Sequence, residues 1–156
     1  MDVAAFLAAE REAIVGEAED AIARLHERHY ESLGAATLNQ RLETLFEHLL
    51  EAVSARDLSS VIAYAGTVAE ERFDAGYDLS EVQAAFNALE AATWRSILAN
   101  LGAGELAEAL GLVSTVFGAA KDALGRHYVS LATHTRAPSL DLRALFDGTD
   151  GVDSPS

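Results

Sequence analysis

The stretch "RFDAGYDLSEVQAAFNALEAATWR", Arg72 to Arg95, decides the fold, because it closes one helix and opens another within four residues. Gly76 can take the left-handed backbone conformation that ends a helix. Asp78, followed three residues later by Glu81, is an aspartate version of the capping box that begins the next one. Tyr77 and Val82 stand where a hydrophobic staple packs across the new start. The stretch therefore reads as a helix corner in which Gly76, Tyr77, Asp78, Glu81 and Val82 have structural roles, and none needs a catalytic one.

On both sides of the corner the apolar residues recur at helical spacing. Before it, Leu58, Ile62, Ala65, Val68 and Phe73 share a face, with Asp57 placed to cap that helix. After it come Leu79, Val82, Phe86, Leu89, Ile97 and Leu101, with Trp94 at the margin, and "NLGAGE" ends the run. Further back, Leu38, Leu42, Leu45, Phe46, Leu49 and Val53 form another face. Gly34 is a plausible stop before it. The first helical stretch carries Ile14, Ala18, Ile22 and Leu25, and Gly16 is expected to bend or divide it.

The last helix holds the longest pattern. Leu106, Leu110, Val113, Phe117, Ala120, Leu124, His127 and Leu131 alternate four and three apart, a seven-residue repeat. Such a seam packs inside an antiparallel bundle or pairs with a second subunit, so it is the candidate dimer seam. His127 and His134 suggest that its final turns are less buried. Gly111, Gly118 and Gly125 also recur at seven, leaving one line of the helix open to the close approach of another.

Both prolines lie in the last twenty residues, and half of the 156 residues are apolar. Nothing in the first 136 forbids helix. The expected fold is all-α: a single bundle domain of about five to seven helices, with a long C-terminal helix, over residues 1–136. Residues 137–156 read as an acidic, largely flexible tail. Within it "LDLRALF" is a short amphipathic island that could dock on its own domain or on a partner.

Formal charge is -14, from 25 acids and 11 bases, and Lys121 is the sole lysine. That field repels phosphate backbones and anionic lipid, so neither nucleic acid nor membrane is an expected partner. Cysteine is absent, which removes disulfides, thiol catalysis and thiolate metal sites. The N-terminus has acids where a signal peptide starts basic, and no apolar run approaches the roughly 20 residues of a span. A cytoplasmic location is the expectation.

The search for chemistry yields little. His26 and His29 lie one helical turn apart, but no Glu-x-x-His pair recurs on two helices, and the charges of "HERH" suggest surface histidines rather than a metal site. His127, on an otherwise apolar seam, is the one candidate axial ligand for haem. Adjacent carboxylates such as Glu70 and Glu71 point apart on a helix. No phosphate loop, nucleophile elbow or phosphotransfer histidine motif is present; His26, His29 and His48 each lack a neighbourhood for the last. The expectation is a protein that is not an enzyme and carries no cofactor or metal.

"VAEERFDAGYDLSEVQAAFNALEAATWRSIL" resembles the signature region of the N-terminal sensory domains of RsbR-type regulators, the RsbRD N-terminal class. The residues that carry it are Arg72, Gly76, Tyr77, Leu79, Ser80, Glu81, Val82, Leu89, Arg95, Ile97 and Leu98. "FGAAKDALGRHYVSLA", Phe117 to Ala132, is similar to the closing helix of those domains, and the helix order agrees over about residues 2–136. The resemblance implies a globin-like fold without haem, usually dimeric, that passes a signal to a STAS-type domain in bacterial stress signalling. The sequence ends soon after its helical region, so the expectation is a free-standing regulatory module, a homodimer acting through a partner protein. A competing expectation is a small-molecule binder with a pocket near Phe86, Trp94 and Phe117.

Overall fold

The computed structural model describes residues 2–25 and 28–136. Among them are seven helices and no strand: α1 (Val3–Ala9), α2 (Arg11–Leu25), α3 (Arg28–Leu33), α4 (Ala35–Ala55), α5 (Ser59–Asp74), α6 (Leu79–Asn100) and α7 (Ala103–Arg136). The chain is an all-α single bundle. The tail with "LDLRALF" and His26 lie outside the described residues.

Local chemistry sets most of the boundaries. Asp2 accepts a hydrogen bond from the Ala5 N–H at 3.1 Å and starts α1. Glu10 closes it, its N–H donating to the carbonyls of Phe6 and Leu7 at 3.1 Å each. The first segment therefore divides at Glu10, and Gly16 is carried inside α2. Gly34, with φ 85°, separates α3 from α4. Asp57 accepts from both the N–H and the hydroxyl of Ser59, at 3.0 and 2.7 Å, which opens α5. Those two bonds hold its carboxyl below the usual aspartate range.

At the corner, α5 ends through Gly76 at φ 85°. The Tyr77 N–H then reaches back to the Arg72 carbonyl at 2.9 Å. Asp78 caps α6 in a capping box, its N–H donating to Glu81 Oε1 at 2.9 Å. Tyr77 and Val82 are both buried, as a staple requires.

The core forms where one side of each helix turns inward. Phe46 of α4 and Phe117 of α7 are fully buried, together with Leu7, Ile14, Ile22, Leu49, Leu89 and Ile97. The long helix α7 packs chiefly on α5 and α6, and α2 packs on α6 and α4. Burying a Leu, Ile or Phe side chain contributes about 1.5–3 kcal/mol, so this shared interior dominates stability. The amphipathic stripes locate it well, with two corrections. Ile62 is 41% exposed, and Val61 takes the buried place on α5. Leu25, at the end of α2, is also exposed.

The seven-residue seam of α7 lies against this chain's own helices. Val113, Phe117, Ala120 and Leu124 are buried in the common core, whereas Leu106, Leu110 and Leu131 pack at its edges. His127 and His134 are exposed, in line with a less buried end. By length and mean hydropathy the stretch Ala103–His134 could cross a membrane, although polar residues interrupt its apolar runs.

Backbone conformation predicts opposite outcomes at two glycines. Gly76→Ala should lower unfolding free energy by about 1–2 kcal/mol, because a Cβ disfavours the left-handed region. Gly16→Ala, in the interior of α2 with open space around its Cβ, should raise it by up to about 1 kcal/mol. Urea denaturation of the two variants reads both signs.

Candidate functional site at the helix corner

A polar cluster grows from the same capping residue. Glu81 is only 6% exposed, and each of its oxygens has a task. Oε1 accepts from the Asp78 N–H, while Oε2 stands 2.7 Å from His29 Nδ1. With the carboxylate ionised, Nδ1–H is the donor. The Glu81 carbonyl accepts from the Tyr30 hydroxyl at 2.8 Å. Oε2 and the carbonyl thus tie the short helix α3 to the start of α6, while Oε1 caps α6 itself.

Tyr77 is the second anchor. Its ring stacks on His29 with centroids 4.2 Å apart and meets Tyr30 edge-on at 5.9 Å. Its hydroxyl accepts from Arg41 Nη1 at 2.9 Å, and the Arg41 guanidinium also lies 5.8 Å over the ring. The Tyr77 carbonyl accepts from the Tyr128 hydroxyl at 3.1 Å, which fastens α7 to the corner. Phe73 packs edge-on against Tyr128 at 5.7 Å.

Burial sets the ionisation of these groups. Desolvation pushes the Tyr30 hydroxyl well above the ordinary tyrosine range and Tyr128 up to about 12, so both remain neutral donors. Glu81 is subject to opposing effects. Burial alone raises its pKa, but the hydrogen bonds from His29 and the Asp78 N–H outweigh that, and the net shift is downward.

Beside the cluster is a cavity of about 30 Å³ between α3, α4, α5 and α6. Since one water needs roughly 10–15 Å³ by this measure, it has room for about two. Its polar lining comes from Tyr30, Arg41, Tyr64 and Arg72, among leucines, Val68, Val82, Ala85 and Phe86. No carboxylate lines it. Tyr64 stacks on His48 at 4.1 Å, and burial raises its hydroxyl pKa.

The candidate pocket aromatics do not assemble. Phe86 lines the small cavity, Phe117 is buried in the core and Trp94 is 36% exposed. The candidate haem ligand is turned elsewhere: His127 Nδ1–H donates to its own helix at the Ala123 carbonyl, 3.0 Å away. Its Nε2 sits so close to α5 that a Cβ on Gly66 would come within 2.9 Å of it. The ring would have to leave α5 to meet an iron. Among the described residues no group of three or more His, Asp or Glu could hold a metal ion.

His29 departs from the surface role its charged neighbours suggested, being largely buried against Glu81 and Tyr77. The sequence pattern singles out neither Arg41 nor Tyr30. The available signal was positional: Arg41 falls between Leu38 and Leu42 on the buried stripe of α4, where a solvated arginine is out of place.

No protein family, curated protein or solved structure matches the chain.

The Glu81 tie predicts an acid-sensitive contribution to stability. Its folded pKa is depressed, so the contribution is complete above the ordinary glutamate value of 4.5 and is lost as pH falls through the lower folded value. Glu81→Gln should cost about 1–2 kcal/mol at pH 7 and flatten the acid limb of the stability curve. Chemical denaturation from pH 7 to pH 3 measures both effects.

Proposed function

We propose that the chain is a non-enzymatic sensory or regulatory module, similar to the globin-like N-terminal domains of RsbR-type stress regulators, that works as a homodimer and engages a partner protein in the cytoplasm. The observation that carries the dimer is the outward face of α6 and α7. Lys121 of α7 reaches Asn87 and Glu90 of α6 at 3.1 and 2.6 Å, which aligns the two helices side by side. On the same stripe of α6 as Asn87 and Glu90 are Trp94 and Leu98, 36% and 55% exposed. Along the facing stripe of α7 run Gly111, Gly118, Gly125 and Val129, the last 64% exposed.

A Cβ at any of the three α7 glycines would meet nothing within 4 Å. Packing among the described residues therefore gives no reason for them, while each costs about 1 kcal/mol relative to alanine in a helix. A second helix lying close along that line supplies a reason. Toward the corner the face continues into a groove of about 690 Å³ between Leu79 and the Gly125–Val129 turn of α7. A second copy fits such a surface, since it would cover the apolar residues of both molecules by one two-fold contact. The intrachain use of Val113, Phe117 and Leu124 moves the dimer face from the seven-residue seam to the opposite side of α7.

Sedimentation at about 50 µM should give the dimer mass, since micromolar association is the weakest that populates it there. Trp94→Glu combined with Leu98→Glu should halve the mass while leaving the helical content intact. The single tryptophan gives a second readout: its emission should move to the red on dilution. A wild-type protein that stays monomeric at this concentration would overturn the dimer reading.

A further inference from the structure

We propose that the cavity lined by Arg41 and Arg72 is a binding site for a small planar oxyanion, a carboxylate of one or two carbons being the best fit. The argument begins with an imbalance of charge. In a chain of net charge -14, most of the other described cations are matched to carboxylates, the exposed Arg24 aside. Arg11 pairs with Glu43 and Glu47, Arg56 with Glu108, Arg95 with Glu17, Lys121 with Glu90 and Arg126 with Asp122. Arg41 pairs with none among the described residues. Its guanidinium donates to the neutral Tyr77 hydroxyl.

Arg72, whose side chain is only 13% exposed, has one partner, the exposed carboxylate of the adjacent Glu71 at 3.1 Å. Both arginines line the cavity, and none of its other lining residues is acidic. Two guanidinium groups beside one apolar space repel each other, and a monoanion between them removes that repulsion. Among the described residues each guanidinium has one hydrogen-bonded partner, Tyr77 for Arg41 and Glu71 for Arg72. The Tyr64 hydroxyl, also in the lining, forms no hydrogen bond among the described residues and adds a further donor.

Size and shape narrow the ligand. About 30 Å³ has room for about two water-sized groups, which matches the two oxygens of a carboxylate head and is too little for a sugar, a nucleotide or haem. A planar fork of N–H donors matches a planar pair of oxygens, which favours a carboxylate, or nitrate by the same geometry, over tetrahedral phosphate. The apolar remainder, Leu38, Leu42, Leu45 and Val68, suits a hydrogen or methyl substituent. The site stands apart from the α6–α7 face and does not depend on the oligomeric state.

The test follows arginine Nε–Hε resonances of the uniformly ¹⁵N-labelled full chain as sodium acetate replaces sodium chloride at constant ionic strength and pH 7. Arg41→Lys and Arg72→Lys assign the two signals. Saturable shifts confined to Arg41 and Arg72 are expected with acetate and formate, and weaker binding by roughly tenfold in either lysine variant, which keeps the charge but loses the fork. A parallel nitrate titration separates a carboxylate site from a general planar-anion site. Shifts that are non-saturable, equal in chloride, or spread over the exposed arginines would overturn the proposal, as would tighter binding of phosphate than of acetate. Triple-resonance assignment of the wild-type arginine signals identifies Arg41 and Arg72 independently, so an unfolded variant leaves the test intact. Sedimentation of the same samples reads the dimer separately, so either idea can fail without the other.

Discussion

The buried Glu81 fastens the corner between α5 and α6 to α3. One oxygen receives the free N–H at the start of α6, the other receives His29, and the peptide carbonyl of the same residue receives Tyr30. An ionised group this buried is tolerated only because its acceptor sites are met by well-placed donors. Once it is fixed, Tyr77 is fixed as well, between the ring of His29 and the guanidinium of Arg41. The corner between α5 and α6 is thus the joint at which α3, α4 and α7 are also secured.

This arrangement explains why the cavity lies where it does. The helices meet squarely over Phe46, Phe117 and Leu89, where large apolar side chains interdigitate. At the corner the same helices meet through tyrosines and arginines, whose long stems and planar ends leave gaps that aliphatic groups would fill. Arg41 is drawn toward Tyr77 and Arg72 toward the end of α5. Between them the packing stays open.

The fold was legible wherever one residue's neighbours in sequence decide its structure. Gly76, Asp78 and Glu81 are a local device, and the corner forms as their order dictates. The stripes of α4 and α7 follow from a repeat that needs no knowledge of partners; the α4 leucines Leu38, Leu42, Leu45 and Leu49 are buried, whereas on α7 Val113, Phe117, Ala120 and Leu124 are. The α1–α2 break was less visible, because Glu10 rather than a glycine makes it. The site was mostly hidden. His29 and Glu81 are 52 positions apart, and Arg41 and Tyr77 are 36 apart. His29 read as a surface residue and Glu81 as a local cap, and only tertiary packing of α3 against α6 brings them together. Ile62 and Val61 show the same limit on a smaller scale, since adjacent apolar residues exchange places through a rotation of the helix that the pattern alone does not fix.

The hydrogen bond from Tyr128 to the Tyr77 carbonyl marks the level at which α7 passes the corner. The helix does not stop there, and continues for eight residues to Arg136. At 1.5 Å per residue that is about 12 Å, of which about 8 Å lies beyond Leu131, still packed on the core, and is stiff because it ends a rod whose earlier turns are locked in place. The bundle is therefore anchored at one place and extended from it like a bracket. A small tilt of α7 at the corner would be magnified at Arg136, so the position of that end is governed by the packing around Tyr77 and Tyr128.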